Sequence, residues 1–150
     1  MKQIETDICI IGGGSGGLSL AAGAVQMGAR VVLFEGGQMG GDCLNSGCVP
    51  SKALLAAAKA AYLANGNAAM GITNTPPNID FAAVKAHVAD VISQIEPHDS
   101  AARFEALGVT VIPEMAHFTG PRAVASATYQ LRAKYIVIAS GSRPMLPPIP

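Results

Sequence analysis

Ile8-Cys9-Ile10-Ile11-Gly12-Gly13-Gly14-Ser15-Gly16-Gly17-Leu18 decides the fold of this chain. An apolar run stops at a cluster of glycines, and small residues follow on a helical pattern at Ala21, Ala22 and Ala24. Residues 4–11 therefore read as a buried strand, 12–17 as a turn, and 18–27 as a helix that Gly28 ends. Residues 30–35, Arg-Val-Val-Leu-Phe-Glu, read as a second buried strand. Strand, turn, helix and strand in so short a stretch make a βαβ unit, whose two strands run parallel.

Gly12, Gly14 and Gly17 satisfy the G-x-G-x-x-G spacing. In that motif the first glycine makes the tight turn, the second lets backbone approach a pyrophosphate, and the third allows close helix–strand packing. The amides at the start of the helix, here Ser15, Gly16 and Gly17, then face the phosphates, with the helix dipole behind them. Glu35 ends the second strand, where a carboxylate can accept hydrogen bonds from the ribose hydroxyls of an adenosine and disfavours a 2′-phosphate. A plain glycine-rich turn with a solvated glutamate is the alternative.

Outward from this unit, residues 36–47 are glycine-rich with little regular pattern. Pro50 suits the first turn of a helix, continued through Ala-rich 52–65. Residues 66–77 read as a loop. Asp80 is a candidate N-cap for a helix over 81–95, with Val84, Val88, Val91, Ile92 and Ile95 on one face, interrupted at Pro97. Residues 101–107 read as a short helix stopped by Gly108. Residues 109–112 read as a strand of the main sheet. Residues 115–119, 123–127 and 129–132 read as short antiparallel strands, and 135–139 as a further buried strand ending at Ser140-Gly141. Beyond Arg143 the prolines at 144, 147, 148 and 150 mark a linker. The expected architecture is an α/β Rossmann-like domain with a parallel sheet, a helical insertion and a small antiparallel β-meander, occupying residues 1–150, with a linker beginning at about 144.

Half of the 150 residues are hydrophobic and 13% are charged, which favours a buried core over disorder. Ten basic residues balance ten acidic ones, leaving no basic stripe for a nucleic acid or an anionic membrane. No apolar run is long enough to span a bilayer, and the first residues do not form a signal peptide. The expected compartment is the cytoplasm.

The second informative stretch is Gly40-Gly41-Asp42-Cys43-Leu44-Asn45-Ser46-Gly47-Cys48-Val49-Pro50-Ser51-Lys52. A disulfide between Cys43 and Cys48 would close a small ring that removes little entropy from the unfolded chain. Such a bond suits opening and closing, and in a reducing compartment a close cysteine pair is read as catalytic or metal-binding. Zinc would need about four ligands, and this pair supplies two, so no metal site is expected. Two unrelated cysteines remain the bland alternative. Cys48 lies near the start of the helix at Pro50, whose dipole lowers a thiol pKa, and is the expected tuned thiol; Cys43 lies further out, toward a substrate. Lys52 is either a surface lysine or an ion-pairing partner of the pair. Cys9 reads as a core residue. His87, His98 and His117 fit no metal or triad spacing.

The cysteine segment resembles the active-site segment of the FAD-dependent pyridine-nucleotide disulfide oxidoreductases, which include dihydrolipoamide dehydrogenase, mercuric reductase and glutathione reductase. The Gly12–Gly17 loop with Glu35 resembles that family's FAD-binding turn. Ile138-Ala139-Ser140-Gly141-Ser142-Arg143-Pro144 resembles its Ala-Thr-Gly-x-x-Pro motif. The resemblance covers essentially the whole chain. It implies that Cys43 and Cys48 form the redox disulfide, Cys48 against the flavin and Cys43 toward a dithiol substrate, with Lys52 near the reactive edge of the flavin. It implies bound FAD contacted by Gly12, Gly14, Ser15, Gly16, Gly17, Glu35, Gly41, Asp42, Lys52, Ala116, Ser140 and Gly141, and NAD(P)H as co-substrate on a domain outside this chain.

Two residues depart from the family pattern. Asp42 stands where many members have threonine, an unfavourable place for an acid beside phosphates unless it turns away. Ser140 replaces threonine and keeps the hydroxyl. Pro50-Ser51-Lys52 fits dihydrolipoamide dehydrogenases and mercuric reductases better than glutathione reductases. Dihydrolipoamide dehydrogenase type is the first expectation and mercuric-reductase-like the second; a non-catalytic FAD module and a simple NAD-binding domain are rivals. The family also has a nicotinamide domain, a returning flavin segment and an interface domain whose His-Glu pair serves the partner subunit. The resemblance thus implies a homodimeric parent enzyme, acting on a small dithiol, disulfide or metal ion, with docking to a 2-oxoacid dehydrogenase complex as an option. The 150 residues by themselves are expected not to turn over NAD(P)H.

Overall fold

Strand β1 (Lys2–Ile11) lies inside a six-stranded sheet of order β5-β2-β1-β8-β7-β6. This computed structural model describes residues 1–143 and 145–149. β1 is flanked on both sides by parallel neighbours, β2 (Val31–Phe34) and β8 (Tyr129–Ile138). Strands paired and covered on both faces read as continuous apolar runs, which is why Ile-Cys-Ile-Ile and Val-Val-Leu-Phe carry no alternation. β5 (Thr110–Ile112) adds a third parallel pairing at the outer side of β2. β6 (His117–Gly120), β7 (Ala123–Ala125) and the first half of β8 form the antiparallel meander.

Helix α1 (Ser15–Gln26) covers one face of the sheet. Its Leu18, Ala21 and Ala24 meet Ile10, Val31, Leu33, Phe104 and Val109. The small residues let helix and sheet approach closely. Cys9, Val32, Phe34, Ile112, Val124, Leu131 and Ala133 form the cluster on the opposite face. Cys9 is fully buried there, and burial pushes its thiol up to about 12, so it is an inert core residue as expected.

The insertion between β2 and β5 is helical. It contains α2 (Gly41–Asn45), α3 (Cys48–Ala64), a hairpin of β3 (Gly66–Asn67) and β4 (Ile72–Thr73), α4 (Phe81–Asp99) and α5 (Ala101–Ala106). Asp80 caps α4 as expected, its Oδ1 accepting from the amides of Ala82 at 2.9 Å and Ala83 at 3.2 Å.

Several expectations need correction. The glycine-rich stretch 36–47 contains the short helix α2. α3 opens at Cys48 and does hold Pro50 in its first turn, as expected. The stretch 66–77 is not all loop, since β3 and β4 pair across a 3₁₀ turn at Ala68–Met70. α4 does not stop before Pro97; it runs to Asp99. So near a helix end a proline costs one donor, and the Pro97 carbonyl is reclaimed by the Ser100 hydroxyl at 2.9 Å. Residues 129–132 and 135–139 are not two strands. Pairing with β1 from Lys2↔Tyr129 to Ile11↔Ile138 holds them as one strand, β8. Nor is its second half buried: Tyr135 is 69% and Ile138 66% exposed. Of the prolines expected in a linker, Pro147 and Pro148 lie in irregular chain, while Pro144 and Pro150 fall outside the described residues. Among the described residues no helix is long and apolar enough to cross a membrane.

Candidate functional site

The carboxyl ends of β1, β2 and β8 converge on the glycine loop. The Gly12 amide donates to the Phe34 carbonyl at 2.8 Å, and the Ala139 amide donates to the Ile11 carbonyl at 2.8 Å. Gly12 has φ of 113°, a conformation other residues rarely adopt, and a Cβ there would overlap the Ala139 carbonyl and stand 3.1 Å from the Ser140 amide. The Ser140 backbone is thereby set against the loop, and Gly141 follows it with φ of 68°. A Cβ on Gly17 would overlap the Gly12 carbonyl oxygen, so the close approach of α1 to β1 requires glycine. Gly14 is the N-cap of α1 and offers no side-chain acceptor to the first turn. The opening amides of a 12-residue helix are therefore left to an external acceptor. Ser15 and Gly16 sit on that turn, exposed.

Glu35 follows β2 directly. Its carboxylate accepts from the Gly13 amide and the Gly37 amide, both at 2.6 Å. It pins the loop to the segment after β2 and keeps its remaining lone pairs for a further donor. Met115 lies against Gly36, and Ala116 follows it, half-buried against the second core cluster, on the Glu35 side of the site.

Residues 40–41 dock the thiol segment onto the same loop. The Gly40 amide donates to the Gly13 carbonyl at 2.9 Å, and a Cβ on Gly41 would stand 2.8 Å from the Gly14 Cα. From there α2 carries Cys43 and α3 opens with Cys48. Asn45 ties the segment together, its Nδ2 donating to the carbonyls of Gly41 at 2.8 Å and Met39 at 3.1 Å, while Leu44 is buried beneath. Asp42 spans the stretch between the thiols. Its carbonyl accepts from the amides of Ser46 at 3.0 Å and Gly47 at 2.6 Å, and its Oδ1 accepts from the Ser46 hydroxyl at 2.6 Å. This carboxylate is thus turned into its own loop.

Cys43 is half-buried and Cys48 exposed, both as free thiols. They are neighbours: the contact with Cys48 is the main cause that pushes the Cys43 thiol up, followed by desolvation and the charge of Cys48. Asp99 adds to this rise and Lys52 opposes it. Lys52 lies one turn along α3 from Cys48, exposed. Cys48 occupies the first position of a 17-residue helix, at its partially positive end. Among the described residues no group of three or more His, Cys, Asp or Glu side chains is placed to hold a metal ion.

Three residues here were not singled out by sequence reasoning. Gly13 lay inside the motif as a variable position. Asn45 carried no signal. Asp99 is 56 positions from Cys43 in sequence (99 − 43), and tertiary packing alone brings it close.

Comparison with known proteins bears on the family. Residues 6–150 match the family described as pyridine nucleotide-disulphide oxidoreductase. The chain is 33% identical over 146 residues to mercuric reductase of Bacillus cereus, covering 97% of this chain and 23% of that protein. It is 36% identical over 148 residues to dihydrolipoyl dehydrogenase of Bacillus subtilis (strain 168), covering 95% of this chain and 31% of that one. It thus spans about a quarter to a third of the length of these curated relatives. Its fold is similar to a Cu(II) complex of the HOCl-induced flavoprotein disulfide reductase RclA from Escherichia coli, with a TM-score of 0.77 at 24% identity, over 96% of this chain and 30% of that one. A match over nearly its whole length, on a fold that seats a cysteine pair beside a glycine loop, places the chain in the pyridine nucleotide-disulphide oxidoreductase family.

Proposed function

We propose that the chain is the FAD-binding part of a dithiol–disulfide oxidoreductase, in which Cys43 and Cys48 pass two electrons between a substrate and a flavin that NAD(P)H reduces or NAD(P)+ re-oxidises. The observation that carries this reading is the docking of residues 40–41 on Gly13 and Gly14, which sets the thiol pair directly beside the phosphate-type loop. The site suits FAD because the glycine cradle excludes side chains and the first turn of α1 is uncapped. On this reading the amides of Ser15, Gly16 and Gly17 receive the pyrophosphate between Gly12 and Gly14. Glu35 takes the ribose hydroxyls, Ala116 borders the adenine, and Gly41, Asp42, Lys52, Ser140 and Gly141 complete the cradle. Bound FAD would supply two-electron redox chemistry.

The chain's own residues do the sulfur chemistry. A substrate thiolate attacks Cys43 Sγ of the Cys43–Cys48 disulfide, the S–S bond breaks, and Cys48 leaves as a thiolate stabilised by the α3 N-terminus. The second substrate thiolate then attacks the substrate sulfur of the mixed disulfide and releases Cys43, which takes up a proton. The substrate is oxidised to a disulfide and the pair is reduced by two electrons. Dihydrolipoamide dehydrogenase type remains the first reading, with a cytoplasmic homodimeric parent. The comparable identity to mercuric reductase keeps a mercuric-reductase-like enzyme as the second.

Thiol titration of the chain in air and after reduction tests the redox role. A difference of two groups is expected; equal counts would remove the redox reading while leaving flavin binding open. The visible absorption of the protein reconstituted with FAD tests the cofactor separately.

A further inference from the structure

Two charges of opposite sign act on Cys43, that of Lys52 and, more weakly, that of Asp99. Cys48 sits at the positive end of α3, with Lys52 one turn away. Cys43 lies on α2, which packs against α4, and the last residue of α4 is Asp99. The Asp99 Oδ2 would stand 3.2 Å from a Cβ on Gly40, three residues before Cys43. Asp99 is half-buried and belongs to neither of the two ion pairs found among the described residues. Asp42, the other acid of the segment, is already engaged by Ser46. So a half-buried carboxylate outside the ion pairs found among the described residues lies at the start of the helix that carries Cys43.

We propose that Asp99 is a charge-selecting residue for the exchange thiol, directing Cys43 toward neutral or cationic sulfur substrates and away from anionic ones. This rests on the reading of Cys43 as the thiol that meets substrate. An incoming reagent must bring its reactive atom to the Cys43 sulfur, and any charge it carries is then within the range where a half-buried carboxylate is weakly screened. The upward push that Asp99 exerts on the Cys43 thiol has the same sign and the same origin. The substrate class that fits is a dithiol or disulfide whose sulfur-bearing end is an uncharged or amine-bearing chain, rather than a carboxylate-rich one.

Irreversible alkylation of the reduced full chain tests this without turnover. Iodoacetate, iodoacetamide and 2-bromoethylamine form thioethers of closely similar size with anionic, neutral and cationic groups, and peptide mapping assigns each rate to Cys43 or Cys48. Asp99→Asn should raise the iodoacetate-to-bromoethylamine rate ratio at Cys43 by about three- to ten-fold at low salt, an estimate for one carboxylate several ångströms away. The ratio at Cys48 should move less, and added salt should shrink the difference. Because the ratio is taken within one protein, a modest loss of stability in the variant does not imitate it. An unchanged ratio, a change confined to Cys48, or an equal rise with all three reagents would each overturn charge selection. Failure of the thiol-count experiment, by contrast, would remove the redox reading and leave these rates measurable.

Discussion

The glycine loop and the α3–α4 helix pair contribute the two halves of the candidate site, and they are built by different physics. Behind the loop the sheet is solid: Ile10, Leu33 and Cys9 are fully buried, and β1 is flanked by parallel strands on both edges. The shape of the loop follows from backbone contacts that leave no room for a Cβ at Gly12 or Gly17. The helix pair has almost no interior of its own. Ala53 is the single buried residue of α3, and α4 has none among the described residues. Leu55, Leu63 and Phe81 are exposed along it. Its thiols are positioned by hydrogen bonds around Asp42 and Asn45, and neighbouring charges act on Cys43. The loop half is therefore fixed by steric exclusion, while in the thiol half neighbouring charges bear on Cys43.

The sharpest way to break this contrast is a matched pair of leucines. Leu33→Ala, in the sheet, should cost about 2–5 kcal/mol in chemical denaturation, whereas Leu55→Ala on α3 should stay within about 0.5 kcal/mol. Equal losses at the two sites would mean that the helix pair has a core after all. Gly17→Ala comes next. The added methyl overlaps the Gly12 carbonyl, so the loop must open; about 1–3 kcal/mol of stability and most FAD retention should be lost together. A variant that keeps its FAD would refute the steric account of the loop. The smallest effect is expected at Asp80, where Asp80→Ala removes the acceptor for two amides of α4. About 1 kcal/mol should be lost, with amide exchange quickened in the first turn of α4 alone. Exchange spreading to β1 would show that α4 and the sheet unfold as one unit.

The sequence showed the sheet better than the insertion, for physical reasons. Apolar runs at 8–11 and 31–34 can be satisfied only by burial on both faces, and a glycine cluster between such a run and a helix has few other uses. Asp80 announced its helix by the same local logic. The glycines at 36–47 misled because glycine disfavours helices on average. Gly40 and Gly41 do adopt positive φ, yet buried Leu44 and the Asn45 side chain are enough to wind one turn from Gly41 onward. β8 looked like two strands because exposed Arg132 and Lys134 interrupt its apolar run, whereas its pairing with β1 is continuous. In the site, residue type and spacing were enough to single out Cys43, Cys48 and Glu35. The carboxylate of Asp99 did not, because its relation to Cys43 exists only after α4 has packed on α2.

The pairing of β8 with β1 also governs the order in which the molecule assembles. Gln3 meets Gln130 across a separation of 127 residues, so this ladder closes nearly the entire chain into one ring. Chain-closure entropy for a loop of that length is about 4 kcal/mol before any constant, and it must be met before the first rung of the ladder returns anything. Helices α1, α3 and α4 need only local contacts and can form within microseconds, but Ser140 and Gly141 reach Gly12 only when the far end of the chain comes home. On a ribosome, the groove beside the glycine loop thus stays one-sided until residue 138 and the few that follow have emerged.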